Sequence, residues 1–253
     1  MREFRTEGWG EFETPGAAAA GVARLFGTLA AGALRQRGRF VVALAGGKSF
    51  LPSYRILSEP APSAADVWPR THVFFGDERC VPDGHPDRND ASVQQALLRH
   101  VPVPPENIHR VPATSEDAAE LYEAEICRVA GHPGEPVPSF DLILLGLGPD
   151  GHTAALFPGH PAVEEARRLV VRVEGAPKRP ASRISFTIPL IDAARCVVFL
   201  VTGANKAEAY FAARAGQRNV PAGRVNPLFG QLLFRKPRGR NLDKGCFGTH
   251  CRS

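Results

Sequence analysis

Short apolar runs alternate along the chain with stretches in which apolar residues recur at helical spacing. The apolar runs are rich in Val, Ile, Leu and Phe, and most of them are continuous. Continuous runs are typical of strands that are buried on both faces of a parallel sheet. They predict β-strands at residues 40–44, 72–75, 141–146, 169–173, 183–188 and 196–201.

The stretches between these runs predict helices at residues 16–37, 49–58, 90–100, 115–130, 153–157 with a continuation at 161–168, and 204–215. This alternation indicates an α/β fold that is doubly wound, with a mostly parallel sheet and helices on both faces. Residues 183–201 break the alternation, because they predict a strand, a short proline-marked helix or turn, and another strand.

The domain organisation follows from the proline-rich linkers at residues 60–69, 101–105 and 131–138. They separate elements rather than domains, because the strand–helix alternation continues across each of them. We therefore expect a single α/β domain over residues 1–230. The basic tail at 231–253 keeps at most the strand "QLLF", and its low apolar content indicates disorder.

Composition narrows the class of protein. The 253 residues are 43% hydrophobic and 23% charged, as in a globular protein. Much of the net charge of +5 lies in the basic tail, so we expect no nucleic-acid partner. No apolar run is long enough to span a bilayer and no secretory signal is present, so we expect a cytoplasmic protein without a membrane partner. Five cysteines without a C-x-x-C pair indicate free thiols.

The first candidate site follows the strand at 40–44. In a doubly wound fold, ligands collect at the carboxyl ends of the strands. The segment "AGGKSF" offers Gly46 and Gly47, which allow close approach of an anion, and Lys48 and Ser49, which open the next helix. Only part of a nucleotide P-loop is present. A sugar-phosphate site is favoured, and a plain strand-to-helix turn is the alternative.

The second candidate site is "GDERCVPDGHPDRND", after the strand at 72–75. Arg79 can bind a phosphate or carboxylate in a forked geometry, and Asp77 lies beside it at the top of the strand. The acidic and histidine side chains further along the loop could suggest metal ligands. They are more typical of turns, so we expect no metal at Asp83, His85 and Asp87.

The third candidate residue is Lys206, in "TGANKAEAY" after the strand at 196–201. The prediction places it in the first turn of a helix, where its charge opposes the helix dipole. That cost is easier to understand if Lys206 faces an anionic ligand. A solvated lysine is the alternative.

The stretch "FDLILLGLGPDGHTAALFPGHP" at 140–161 is the most informative. Its glycines match a dinucleotide fingerprint, but Pro149 occupies the tight turn and the predicted helix is interrupted at 158–161. We interpret it instead as a catalytic loop. Asp150 would cap a helix beginning near Thr153, and the helix dipole would keep His152 neutral, as a general base requires. A turn with an incidental histidine is the alternative.

Together these motifs resemble the 6-phosphogluconolactonase family. The resemblance runs from about residue 15 to about 227, and the long "GPDGHTAALFPG" run is its most specific part. It implies an enzyme that hydrolyses 6-phospho-D-glucono-1,5-lactone in the pentose phosphate pathway and needs no cofactor. We expect this small sugar-phosphate lactone as the partner, and a monomer or weak homodimer.

Carried over by position, the resemblance implies a role for each motif. His152 would activate water and Asp150 would help to set up the site. Asp77 would lie near the sugar. The phosphate-facing loop would consist of Gly46, Gly47, Lys48 and Ser49. Arg79 and Lys206 would contact the phosphate, and Arg183 would lie near it.

Two departures and two alternatives remain open. Lys48 stands where the family usually has serine or threonine, and the C-terminal tail is unlike that of the family. An amino-sugar-phosphate deaminase or isomerase of the same superfamily is the first alternative, although it typically shows D-E-Y where this chain has "DER". A non-catalytic sugar-phosphate sensor is the second.

Overall fold

The computed structural model describes residues 10–60, 66–226 and 230–235. Within these residues the strands are β1 (Gly10–Phe12), β2 (Phe40–Leu44), β3 (Thr71–Phe75), β4 (Asp77–Arg79), β5 (Leu142–Gly146), β6 (Val170–Val173), β7 (Arg183–Phe186), β8 (Val197–Val201) and β9 (Gly230–Arg235). Six of them form a parallel sheet in the order β1-β9-β8-β5-β2-β3. The predicted doubly wound α/β class is confirmed.

The helices are α1 (Pro15–Arg37), α2 (Leu51–Leu57), α3 (Asn89–Ala96), α4 (Ala118–Ala130), α5 (Ile188–Asp192) and α6 (Ala207–Arg214). Helix α1 begins after Thr14, whose side chain accepts the Ala17 N–H at 3.1 Å, and it ends at the left-handed Gly38. Its buried face carries Phe26, whose ring lies 5.2 Å from that of Phe40 and 5.4 Å from that of Trp68. These contacts fix α1 against the sheet.

Helix α1 bears on the prediction that no segment is long and apolar enough to span a bilayer. Its 23 residues are long and apolar enough to cross a bilayer by length and composition. One such helix near the N-terminus is weak evidence, because core helices pass the same test. Seven of its side chains, from Ala18 to Ala33, are buried within the protein. The expected absence of a membrane partner stays a prediction.

The centre of the sheet is the apolar core. Every residue of β2 and β8 is buried, as are the first four of β5. Each fully buried Val, Leu or Phe contributes roughly 1.5–3 kcal/mol relative to exposure, so these strands dominate the stabilisation. This burial explains why their sequences are continuously apolar.

A second sheet differs from the prediction. Strands β6 and β7 match the predicted runs at 169–173 and 183–188, but they do not join the central sheet. They form a separate antiparallel sheet in the order β4-β7-β6. The chain leaves β3 at Gly76, whose carbonyl accepts the Phe186 N–H at 2.9 Å, and β4 then pairs with β7. Apolar periodicity predicts a strand but does not assign it to a sheet.

Two predicted helix positions are wrong. Residues 153–157 form a turn closed by a bridge between Thr153 and Leu156, and Pro161–Glu164 is a 3-10 turn. The Thr153 hydroxyl donates to the Gly146 carbonyl at 3.0 Å, and Ala154 has a positive φ of 47°, which a helix cannot accommodate. The predicted capping of a helix by Asp150 therefore does not occur.

Two boundaries also move. Helix α2 begins at Leu51, so Lys48 and Ser49 lie in the turn that precedes it. The domain boundary that we placed after residue 230 falls inside β9, which pairs with β8 and β1. The predicted tail therefore loses residues 231–235 to the central sheet, and the rest of it, 236–253, lies outside the described residues.

Candidate functional site

A cleft of about 270 Å³ lies at the carboxyl ends of the parallel strands. It brings together most of the predicted site residues. Its lining includes Gly46, Gly47, Lys48, Ser49, Asp77, Arg79, His152, Arg183 and Lys206. Two further side chains, Asn89 and Lys178, also line it, and Asp150 contacts His152 from beside it.

The histidine loop, residues 146–157, holds the Asp150–His152 pair. The Asp150 carboxylate lies within hydrogen-bond distance of His152 Nδ1. Partial burial raises the pKa of Asp150, but the hydrogen bond from His152 and the charge of Lys178 together outweigh it, so the pKa lies below its ordinary value. Because the carboxylate is ionised and only accepts, Nδ1 carries the proton and Nε2 is left as the basic nitrogen.

Position 148 of this loop requires glycine, because the side chains of His152 and Asp150 lie very close to its backbone. A Cβ on Gly148 would lie 2.0 Å from His152 Nδ1 and 2.3 Å from an Asp150 carboxylate oxygen. The Gly148 N–H donates to the His152 carbonyl at 2.9 Å, and its own carbonyl accepts the Gly151 N–H at 3.0 Å. The backbone of the loop therefore folds back onto the dyad that it carries.

The imidazole of His152 is packed against Phe157. The two rings lie 4.7 Å apart at an angle of 30°, and the guanidinium of Arg183 covers the phenyl ring, 5.5 Å from its centre. Phe157 is fully buried. This stack fixes the orientation of the imidazole and removes much of its hydration.

Burial lowers the pKa of His152, and the hydrogen bond and charge of Asp150 raise it in part. The histidine is therefore neutral near pH 7. The expected neutrality has a different cause from the one predicted, because no helix begins at this residue and desolvation replaces the helix dipole.

The glycine loop, residues 45–50, forms the opposite wall. Gly46 lies against α3, because a Cβ there would be 1.9 Å from Asn89 Oδ1. Gly47 has a φ of 84°, a conformation that favours glycine, and the two residues that follow it, Lys48 and Ser49, line the cleft. Among the described residues Lys48 has no hydrogen-bond or ion-pair partner, and Ser49 accepts from Thr202 at 3.3 Å.

The strand β4 carries Asp77 and Arg79 on one side and the buried Glu78 on the other. Arg79 donates to the Asp87 carbonyl at 2.6 Å, and its buried Nε has no hydrogen-bond partner among the described residues. Glu78 accepts the N–H groups of Asn89 at 2.7 Å and of Asp90 at 2.9 Å, and so caps α3. Burial raises the Glu78 pKa to about 7, against these backbone donors.

Lys206 ends a 3-10 turn and immediately precedes α6, which begins at Ala207, so the predicted placement in the first turn of an α-helix is wrong by one residue. Burial lowers its pKa, and the charge of Lys178 lowers it further. A half-buried ammonium without an ion-pair partner among the described residues favours an anionic ligand, as the sequence suggested.

Lys178 was missed by the sequence analysis. Its Nζ lies 3.2 Å from His152 Nδ1 and 3.5 Å from an Asp150 carboxylate oxygen. It follows β6 in "GAPKRPAS", so it belongs to no strand end of the central sheet. The sequence shows only a lysine in a proline-containing segment, and nothing in that pattern connects it to the histidine loop.

A metal site is not found among residues 10–60, 66–226 and 230–235, which contain no suitable cluster of His, Cys, Asp and Glu. Asp83 instead pairs with Arg88 at 3.0 Å, and His85 accepts the Asp87 N–H at 3.1 Å. These contacts are typical of a turn, and the expected absence of a metal stays a prediction.

A family model described as glucosamine-6-phosphate isomerases/6-phosphogluconolactonase matches residues 13–234. Among curated proteins, a 6-phosphogluconolactonase from Mycobacterium tuberculosis is 41% identical over 218 residues, which cover 81% of this chain and 87% of the relative. One from Synechocystis is 42% identical over 224 residues, which cover 83% and 88% of the two chains.

Solved structures show the same fold. The crystal structure of "devB protein" is 30% identical, with a TM-score of 0.78 over 90% of this chain and 96% of that one. A 6-phosphogluconolactonase from Thermotoga maritima is 27% identical, with a TM-score of 0.77 over 89% and 97%. A monomeric glucosamine-6-phosphate deaminase, 18% identical with a TM-score of 0.74, shares the fold alone.

Proposed function

Because the chain belongs to the family of glucosamine-6-phosphate isomerases and 6-phosphogluconolactonases, we propose that it hydrolyses 6-phospho-D-glucono-1,5-lactone to 6-phospho-D-gluconate, the second step of the oxidative pentose phosphate pathway. The observation that carries the proposal is the neutral His152, held by Asp150, in a cleft that is also lined by Lys48, Arg79 and Lys206. A lactone is an ester, and its hydrolysis needs a base for water and donors for an oxyanion.

His152 acts as the general base through Nε2. Asp150 accepts the Nδ1 proton, fixes the tautomer and stabilises the imidazolium that forms when Nε2 takes a proton from water. The water oxygen then adds to the lactone carbonyl carbon. The stack on Phe157 limits rotation of the imidazole, so Nε2 stays directed at the attacking water.

The cations at the other side of the cleft bind the phosphate. Lys48, Arg79 and Lys206 line it with the glycine loop, and the backbone near Gly47 is open to close approach. Binding the phosphate, which does not react, holds the carbonyl against His152 and lowers the entropic barrier. Asp77 lines the same cleft, 3.9 Å from Arg183, and its carboxylate would accept hydrogen bonds from sugar hydroxyl groups.

The test is acid release from freshly prepared 6-phosphogluconolactone, followed in a pH-stat. We expect the wild-type protein to accelerate hydrolysis above the spontaneous rate, and His152→Ala to lower kcat by about 10²- to 10⁴-fold. His100→Ala is the matched control, because the His100 side chain is exposed and, among the residues that the structure describes, contacts the Gln95 carbonyl at 3.2 Å and does not line the cleft. Its kinetics should equal those of the wild type.

Other outcomes decide against the proposal. No acceleration by a folded wild-type protein would exclude a lactonase. Ammonia release from glucosamine 6-phosphate would indicate the deaminase activity of the same superfamily instead. Tight sugar-phosphate binding without turnover of either compound would indicate a sensor.

A further inference from the structure

The position of Lys178 is unusual for a surface lysine. Its ammonium lies 3.2 Å from His152 Nδ1 and 3.5 Å from Asp150, and its side chain lines the cleft. Nδ1 donates its proton to Asp150, so it offers no lone pair to the ammonium. The hydrogens of Lys178 that do not point at Asp150 are therefore available to a ligand beside the imidazole.

The backbone of Lys178 is held by Arg183. The Arg183 guanidinium donates from Nη2 to the Lys178 carbonyl at 3.2 Å and from Nε to the Pro180 carbonyl at 3.1 Å. Its remaining nitrogen lies 3.9 Å from Asp77, and its plane covers Phe157. Since Arg183 is almost fully buried and occupied by these contacts, it holds the lysine rather than meeting the phosphate.

Resting on the proposed lactonase function, we propose that Lys178 is a further catalytic residue, the cationic donor to the oxyanion that forms on the lactone carbonyl. Among the described residues it is the cation in contact with the dyad. Its four-carbon stem allows the ammonium to move from Asp150 to an oxygen that gains charge beside Nε2. Arg183 is the positioning residue that anchors the stem.

The proposed step balances. His152 Nε2 takes one proton from water, the water oxygen bonds to the carbonyl carbon, and the electron pair of the C=O bond moves to the carbonyl oxygen. Lys178 donates a hydrogen bond to that oxyanion and loses no proton. The C=O bond then re-forms, the bond to the ring oxygen breaks, and the ring oxygen takes the proton from Nε2. Ionisation of the resulting carboxylic acid releases the measured acid.

The test is the pH profile of kcat for Lys178→Met, compared with Lys178→Arg and with Lys206→Met as a matched cleft cation. Loss of an oxyanion donor should lower kcat on the pH-independent plateau by about 100-fold, with KM nearly unchanged. Lys178→Arg should restore part of that loss, because it keeps a cationic donor. Lys206→Met should mainly raise KM, because the phosphate contact persists from ground state to transition state.

The opposite results are distinct. If Lys178 acts only on the charge of His152, its removal leaves the plateau kcat intact and moves the acidic limb to higher pH, since a nearby positive charge is lost. If Lys178 binds phosphate, KM rises and kcat stays. Either result overturns the proposal, and neither affects the lactonase function, which the wild-type rate tests separately. Thermal unfolding of each variant identifies any loss of fold.

Discussion

The histidine loop and the glycine loop follow neighbouring parallel strands, β5 and β2, but they are supported in different ways. The histidine loop folds back on itself, because Gly148 bonds to His152 and Thr153 bonds back to Gly146, and outside it Ser185 accepts the Ala155 N–H at 3.1 Å. The glycine loop is held from outside. Tyr54 donates to the Ala45 carbonyl at 2.7 Å, and Asn89 of α3 packs against Gly46.

This difference matches the different tasks proposed for the two loops. A general base needs one fixed orientation, and a loop that folds onto its own dyad supplies it locally. A phosphate site needs backbone N–H groups that the ligand can reach, so the side chains that hold such a loop must lie on the side away from the ligand. Substitutions that distort the histidine loop should therefore lower kcat, and substitutions that distort the glycine loop should raise KM.

The largest effect is expected for Gly148→Ala. The added Cβ would collide with both members of the dyad, at 2.0 and 2.3 Å, and separate His152 from Asp150. We expect kcat to fall by about 100-fold or more, with a small change in KM, measured by acid release. Gly27→Ala is the control, because its Cβ meets nothing within 4 Å and it lies in α1, outside the lining of the cleft. A change in KM alone would contradict the proposed division between the loops.

A smaller effect is expected for Gly46→Ala. Its Cβ would lie 1.9 Å from Asn89 Oδ1, so either the glycine loop or Asn89 must move. We expect KM to rise about tenfold, equivalent to about 1.4 kcal/mol of binding free energy, with kcat largely kept. Gly32→Ala in α1 has free space around its Cβ and should leave the kinetics unchanged while stabilising the fold by about 1 kcal/mol. A loss of kcat in the Gly46 variant as large as that in the Gly148 variant would argue against separate roles for the two loops.

The smallest effect is a titration shift. Burial lowers the His152 pKa below the ordinary value of 6.5. The neutral imidazole is therefore still the major form at pH 6.5, and half-protonation occurs at a lower pH. Proton NMR of the free protein should show its imidazole resonance titrating below 6.5, with His152→Ala used to assign the signal. A midpoint above 6.5 would mean that Asp150 outweighs burial.

The sequence predicted the fold class and most of the site for a physical reason. Continuous apolar runs marked β2, β5 and β8, and the polar residues directly after parallel strands necessarily meet at one edge of the sheet. His152 and Lys206 were found in this way. Their roles stay predictions, and the wild-type and variant kinetics test them.

Other features depend on contacts that periodicity does not encode. The turn at 153–157 results from Thr153 bonding back to Gly146, which is favoured over the helical pattern of "TAALF". Strands β6 and β7 leave the central sheet because β4 pairs with β7. Lys178 contacts the dyad through its side chain, while its carbonyl accepts a hydrogen bond from Arg183 at 3.2 Å, and neither contact can be read from the apolar periodicity.

The pairing of β1 with β9 has a consequence for synthesis. Gly10 pairs with Leu233, so β1 cannot pair until a strand about 220 residues later in the chain has been synthesised. At ordinary translation rates of roughly 5–20 residues per second, that wait is on the order of ten seconds or more. Strand β8 is synthesised only about 30 residues before β9, so at the same rates its apolar edge lacks this partner for a further period of only roughly 2–6 seconds.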